Sequence, residues 1–119
     1  MDEYNTPKWL KDGLFKDWFD PCPLSNGLVL INGLEIPWKP KTFVNPPYSD
    51  PRPWVEKAIE ENKKGNTIAL LVQNDSSTQW YKKLHEAGSY FFLISGRLHF
   101  NDIGPARFAS VLILLYGEA

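Results

Sequence analysis

The sequence predicts an α/β fold organised around a doubly wound, mostly parallel sheet whose N-terminal half is abbreviated. Three features carry this expectation: the unbroken apolar run Thr67-Ile68-Ala69-Leu70-Leu71-Val72, a strand and helix alternation from residue 42 onward, and a concentration of Pro and Gly between residues 21 and 53. A strand that is apolar on both sides needs cover on both faces, which helices flanking a parallel sheet provide. Alternation of strands with helices implies right-handed crossovers. The Pro- and Gly-rich stretch leaves no room for a crossover helix between Asp20 and the next strand, so the first half of the fold is short.

Taken in order, Thr6-Pro7 followed by Trp9, Leu10 and Leu14 predicts a short helix capped by Thr6 with Pro at its first position. Trp18-Phe19 enters a first strand that ends at Asp20-Pro21, and Leu28 to Ile31 reads as another strand. Thr42-Phe43-Val44 is a strand stopped by Asn45-Pro46-Pro47. Asp50 is placed to cap a helix opening at Pro51, with Val55, Ala58 and Ile59 at helical spacing and Gly65 at its close. After the run from Thr67 to Val72, Ser76-Ser77-Thr78-Gln79 has the form of a capping box, and Trp80, Leu84 and Ala87 mark one apolar stripe ahead of Gly88. Tyr90 to Ile94 and Ala109 to Tyr116 supply two further strands.

With 119 residues the expectation is a single domain, residues 1–119, around one core. No apolar run reaches the length of a membrane span, and Met1 to Asn5 lack the basic and apolar regions of a secretory leader, so a cytoplasmic protein is expected. One cysteine, Cys22, provides neither a disulfide nor a zinc site; no metal is expected. The formal charge of −1 shows no basic surplus of the kind that avid nucleic-acid binders carry. Lys8/Lys11/Lys16, Lys63/Lys64 and Lys82/Lys83 are local clusters, read first as solvated helix faces and second as one wall of a cleft.

Chemistry concentrates where strands end. In an open α/β sheet ligands bind beyond the carboxyl ends of the strands, and both Asp20-Pro21 and Asn45-Pro46-Pro47-Tyr48 occupy such ends. Consecutive prolines remove two backbone donors and fix φ, leaving their carbonyls presented as acceptors. The Asn45 amide oxygen and the Pro46 carbonyl are suited to accept the two hydrogens of an amino group and to stabilise positive charge developing on its nitrogen. Tyr48 offers a flat face on which a planar base can stack. Read without function, the same residues are a stiffened loop and a packing aromatic.

The chain resembles the amino-methyltransferases, whose motif at this place is Asn, Asp or Ser, then Pro-Pro, then Tyr, Phe or Trp. More narrowly, it resembles the phage-type DNA N6-adenine methyltransferase family. The matching pieces run through the chain in order: Thr6-Pro7, Asp20-Pro21-Cys22, Gly33-Leu34 ahead of Trp38, Phe43 to Ser49, Trp54 to Ala58, Leu70-Leu71-Val72, Ser77-Thr78 with Trp80, Leu84 to Gly88, Gly96-Arg97-Leu98 with Phe100, and Phe108 to Leu112. The resemblance implies a minimal Rossmann-like methyltransferase fold, S-adenosylmethionine as methyl donor and adenine in DNA as acceptor. It also implies a virus- or prophage-encoded protein acting in the host cell. It places Thr6, Pro7, Asp20, Pro21 and Asn45 around the cofactor, and makes Asn45, Pro46, Pro47 and Tyr48 the catalytic segment. Substrate contacts fall to Tyr48, Ser49, Trp38 and Arg97. The chain lacks the Gly-x-Gly turn that many methyltransferases place after their first strand. Gln73-Asn74 stand where related sequences often have Pro and a basic residue.

Other residues have plainer readings. Pro21-Cys22 is similar to the nucleophile segment of cytosine-C5 methyltransferases, but no companion motif accompanies it and amino methylation needs no covalent intermediate. His85 and His99 have no companion ligands and read as surface residues, while Arg97 suits a phosphate or a structural ion pair. Trp9, Trp18, Trp54 and Trp80 read as core or interface residues, and Trp38 as a residue leaning on adenine or cofactor. With no separate recognition module and little net charge, a homodimer or a weak, salt-sensitive DNA contact is expected. Two alternatives stay open: an amino-methyltransferase acting on RNA or on a protein glutamine, and a non-catalytic module that binds the cofactor or nucleic acid.

Overall fold

A four-stranded mixed sheet forms the centre of the protein, with strand order β1-β2-β6-β3. The computed structural model describes residues 7–22, 32–47, 49–94, 99–101, 104–105 and 109–117. The elements are a π-helical turn Trp9–Leu14, β1 Lys41–Val44, α1 Arg52–Lys63, β2 Thr67–Gln73, α2 Gln79–Glu86, β3 Tyr90–Leu93, the short pair β4 His99–Asn101 and β5 Gly104–Pro105, and β6 Ser110–Leu115. The strand expected over Leu28 to Ile31 lies outside the described residues.

β1 and β2 pair in parallel, with Val44 opposite Leu70. β6 enters antiparallel between β2 and β3, with Gln73 opposite Ser110 and Leu93 opposite Val111. Three of the four strands therefore point the same way and the last runs against them, so the sheet is mixed and two of its three strand pairs are antiparallel. Beyond β1, Phe19 forms a one-residue parallel bridge to Thr42: its N–H donates to the Lys41 carbonyl at 2.9 Å and its carbonyl accepts from Phe43 at 2.8 Å. The first strand expected at Trp18-Phe19 is reduced to this bridge.

Alternation along the strands sorts the core into two faces. Ile68, Leu70 and Val72 of β2 join Val44, Val111, Ile113 and Leu115 against Val55 and Ala58 of α1 and Trp80 and Leu84 of α2. Ala69 and Leu71 face the other way, against Phe43 and Leu10, with Phe15 and Trp18 packed alongside. β2 is covered on both sides, as its unbroken apolar run requires.

Several local expectations need correction. The Trp9–Leu14 turn has π geometry, and of its apolar residues only Leu10 is buried. Trp9 is 55% exposed, because Phe15 and Trp18 supply the packing on that face and Phe15 stacks on Phe43 with ring centroids 4.6 Å apart. Asp50 does not cap α1: its carboxylate accepts from Arg52 Nε at 2.9 Å, and Pro51 occupies the cap position. The cap of α2 is Thr78, two residues later than the Ser76 box implies, its Oγ1 accepting from the Tyr81 N–H at 3.3 Å. Asp75 accepts from Ser77 and holds the preceding residues in a turn, which delays the helix. Ala87 consequently falls after the helix and is exposed.

Candidate active site

The parallel bridge at Phe19 brings two distant segments to one edge of the sheet. Asp20-Pro21 leaves the bridge at the carboxyl end of the sheet, and Asn45-Pro46-Pro47 leaves the adjacent β1 at that same end. β1 stops at Val44 because neither Pro46 nor Pro47 has an N–H to give a ladder. Pro46 is buried, Asn45 and Pro47 are half-buried, and the Asn45 amide oxygen is shielded from solvent. Ser49 is exposed. Tyr48, Thr6 and Arg97, each expected at the site, lie outside the described residues.

Asp20 is held in a tight turn. Its Oδ1 accepts from the Cys22 N–H at 3.0 Å, and its Oδ2 lies 4.0 Å from Lys11 Nζ. Burial pushes its carboxyl above the ordinary aspartate range, against the Cys22 N–H and Lys11, which pull it down. Pro7 is buried at the head of the π-helical turn, its carbonyl accepting from the Leu10 and Lys11 N–H groups at 3.0 and 3.1 Å. That turn carries Lys11 to Asp20, so Pro7 and Asp20 belong to one local cluster. A cleft of about 560 Å³ borders Asp20 along the Phe19 edge, with Lys39 and Lys41 among its lining residues.

The loop before β1 supports this cluster from beneath. Pro21 is buried against Gly33 so closely that any Cβ at Gly33 would collide with the Pro21 carbonyl. The Gly33 carbonyl in turn accepts from Trp38 Nε1 at 2.7 Å. Trp38 is 5% exposed, stacks against Trp54 at 6.5 Å and has Lys57 Nζ 6.0 Å from its ring centre. Its indole N–H is committed to Gly33 and its ring packs in the core.

Sequence reasoning missed Glu61. This carboxylate is fully buried on α1, where it accepts from the Trp38 N–H at 2.7 Å, from Lys64 Nζ at 3.0 Å and from Asn66 Nδ2 at 3.3 Å, with Lys57 Nζ at 3.5 Å. Burial alone would raise its pKa, but the Trp38 N–H and the two lysines outweigh that and hold it below the ordinary glutamate range. The signal was the spacing of Val55, Ala58 and Glu61, which places the acid on the buried stripe, with Lys57 and Lys64 one turn to either side.

One lysine of each cluster has an acid partner, Lys11 meeting Asp20 in the first. Lys64 pairs with Glu60 and Glu61, and Lys83 with Glu56 at 2.9 Å. Among the described residues no group of His, Cys, Asp and Glu has the form of a metal site. No described helix is long and apolar enough to cross a membrane.

Comparison with known proteins bears on what this arrangement serves. The profile of the DNA N-6-adenine-methyltransferase (Dam) family matches residues 30–110, more than half of the chain. The chain belongs to this family. Two phage proteins, each named DNA N-6-adenine-methyltransferase, are similar to it. The protein of Escherichia phage T1 is 36% identical over 56 residues, covering 47% of this chain and 24% of the relative. That of Haemophilus phage HP1 is 32% identical over 78 residues, covering 61% of this chain and 45% of the relative. The chain thus matches less than half the length of either relative. No solved structure matches it. The family match spans Asn45-Pro46-Pro47 and the support formed by Gly33, Trp38 and Glu61, while Pro7, Asp20 and Pro21 precede it.

Proposed function

We propose that this chain transfers a methyl group from S-adenosylmethionine to the N6 amino group of adenine in DNA. The observation that carries the reading is the placement of Asn45-Pro46-Pro47 at the carboxyl end of β1, beside Asp20, in a member of this family. The strand order β1-β2-β6-β3, with helices on one face and the π-helical turn on the other, supports a Rossmann-like methyltransferase fold with a shortened N-terminal half.

The residues present fit the methyl donor. Asp20 Oδ2 offers a half-buried acceptor beside an open cleft, suited to hydroxyl or ammonium hydrogens, and Pro21 follows it directly in the chain. S-adenosylmethionine would supply a methyl group activated on a sulfonium, its S–CH3 bond breaking as the N–C bond forms so that the sulfur leaves as a neutral thioether. Asn45 Oδ1 and the Pro46 carbonyl accept the two N6 hydrogens of the adenine, turn the nitrogen lone pair toward the donor and stabilise the positive charge that grows on nitrogen. The methylated nitrogen then releases one proton to solvent. Tyr48 stacks on the adenine, which must leave the duplex because N6 is not open to in-line approach inside the base stack. Ser49 and Arg97 contact the substrate strand.

The edge strand β3 supports the homodimer expected from the sequence, since Tyr90, Phe92 and Leu93 are 61, 50 and 76% exposed. The deciding experiment incubates the protein with methyl-labelled S-adenosylmethionine and separate DNA, RNA and glutamine-peptide acceptors. N6-methyladenine in the DNA digest is the expected product. Label in RNA or peptide alone selects the other acceptors, and cofactor binding without transfer to any acceptor selects the non-catalytic module.

A further inference from the structure

A second cleft, of about 690 Å³, opens where β1 and β2 deliver the chain into α1 and α2, directly after the catalytic segment. Most of its polar groups are already engaged. Thr78 Oγ1 donates to the Asp75 carbonyl at 2.9 Å and caps α2, and Asp50 is paired with Arg52. Trp80, only 8% exposed, forms an apolar part of the wall. Gln73 and Gln79 are different: both line the cleft, and neither carboxamide bonds to another described residue. Gln79 is exposed at the first position of α2, and Gln73 ends β2.

The charge in this cleft sums to zero, because Asp50 neutralises Arg52. A phosphate-neutralising groove would carry unpaired cations. Unengaged carboxamides, each with donors and acceptors in one plane, suit the edge of a base instead. Ser49, two residues past Pro47, lines the same cleft, so a strand whose target base lies on the Asn45 to Tyr48 segment passes it within a nucleotide or so.

We infer that this cleft receives the nucleotide adjacent to the target adenine, and that Gln79, with Gln73 of the same lining, reads that nucleotide's base edge and sets sequence preference. The inference rests on the proposed methyl transfer. It assigns specificity to residues of the catalytic domain itself.

The test uses the intact chain and a duplex oligonucleotide library with one fixed adenine and randomised neighbours on both sides. Modified adenines are mapped for the parent, Gln79→Ala and the Gln73→Ala/Gln79→Ala double variant, with S-adenosylmethionine affinity and circular dichroism measured on each. The parent is expected to favour one base at one neighbouring position. Gln79→Ala should reduce that preference about tenfold, the scale of one lost bidentate base contact, with unchanged cofactor affinity. A parent that methylates without any neighbouring preference, a variant with the parent's pattern, or a variant slowed equally on every neighbour would each overturn the inference. A parent that methylates no DNA adenine at all overturns the methyl-transfer reading instead. Should Gln79→Ala lose its fold by circular dichroism, Gln79→Glu, which keeps the acceptors and loses the donors, makes the same comparison.

Discussion

The backbone N–H of Trp38 donates to Glu61 Oε1 at 2.7 Å, joining the loop before β1 to the buried side of α1. This bond anchors a chain of contacts: Trp38 holds the Gly33 carbonyl, and Gly33 packs on Pro21 beside Asp20. Glu61→Gln keeps an acceptor for Trp38 but removes the charge that Lys57 and Lys64 neutralise. It should cost about 1–3 kcal/mol at neutral pH, measured by urea denaturation. The pH dependence has a definite sign. Because the folded carboxyl lies below its ordinary value, its stabilisation is full above the ordinary glutamate range and is lost as pH falls through the folded value. The parent should therefore lose stability on the acid side, and Glu61→Gln should flatten that limb.

Gly33→Ala tests the contact with Pro21, beside the proposed cofactor residue Asp20. The added methyl has no room against the Pro21 carbonyl, so either Pro21 shifts or the loop does. We expect a loss of about 1–3 kcal/mol in stability, the usual scale for overpacking. S-adenosylmethionine affinity by calorimetry should fall with it. Parent-like affinity would show that Pro21 does not border the cofactor.

Asp20→Ala should weaken cofactor binding, and Asp20→Asn should weaken it less. As burial holds the Asp20 carboxyl above its ordinary range, the folded state retains a proton in a window where the unfolded chain has released it. Stability from this group therefore falls as pH rises through that window, and removing the carboxyl should abolish the effect. If Asp20 binds the cofactor through its carboxylate, as proposed, cofactor affinity should move the opposite way and decline as pH drops through the same window. Calorimetry across that range on parent and Asp20→Asn separates the two.

At the reacting end, Asn45→Ala should raise the methyl-transfer barrier by about 2–4 kcal/mol, as for other preorganised contacts to a developing charge. Tyr48→Ala should cost roughly 1–3 kcal/mol in base capture, and Tyr48→Phe should be tolerated because the proposed role uses the ring and not the hydroxyl. Single-turnover rates at saturating DNA, compared with rates at limiting DNA, distinguish the two residues. Transfer at the parent rate by Asn45→Ala would remove the proposed catalytic role.

Thr78→Ala removes the cap of α2. A loss of about 1 kcal/mol is expected, read as a lower denaturation midpoint with an unchanged slope.

The strongest periodic signals were legible in the sequence. The apolar run from Thr67 marked β2, Val55 and Ala58 marked the buried face of α1, and Pro46-Pro47 marked the end of β1. What stayed hidden depends on partners distant in sequence. Nothing local in residues 110–115 reveals that they insert antiparallel between β2 and β3, because pairing order is a tertiary choice. The burial of Trp38 was not readable from its loop, because Glu61 and Gly33, 23 and 5 residues away, claim its two N–H groups. The position of a cap was equally unreadable: Ser76 and Thr78 both qualify, and the turn made by Asp75 decides between them.

The place of β6 bears on how the molecule comes into being. Among the described strands β3 pairs with β6 alone, and β6 follows every other strand of the sheet along the chain. As the chain leaves the ribosome, β1 and β2 can pair early, whereas β3 waits with its apolar edge bare until residues 110–115 arrive to fill the gap. Closure of the core is thus deferred until all the other strands of the sheet have been made, and the interval before it is when the nascent chain is most open to aggregation.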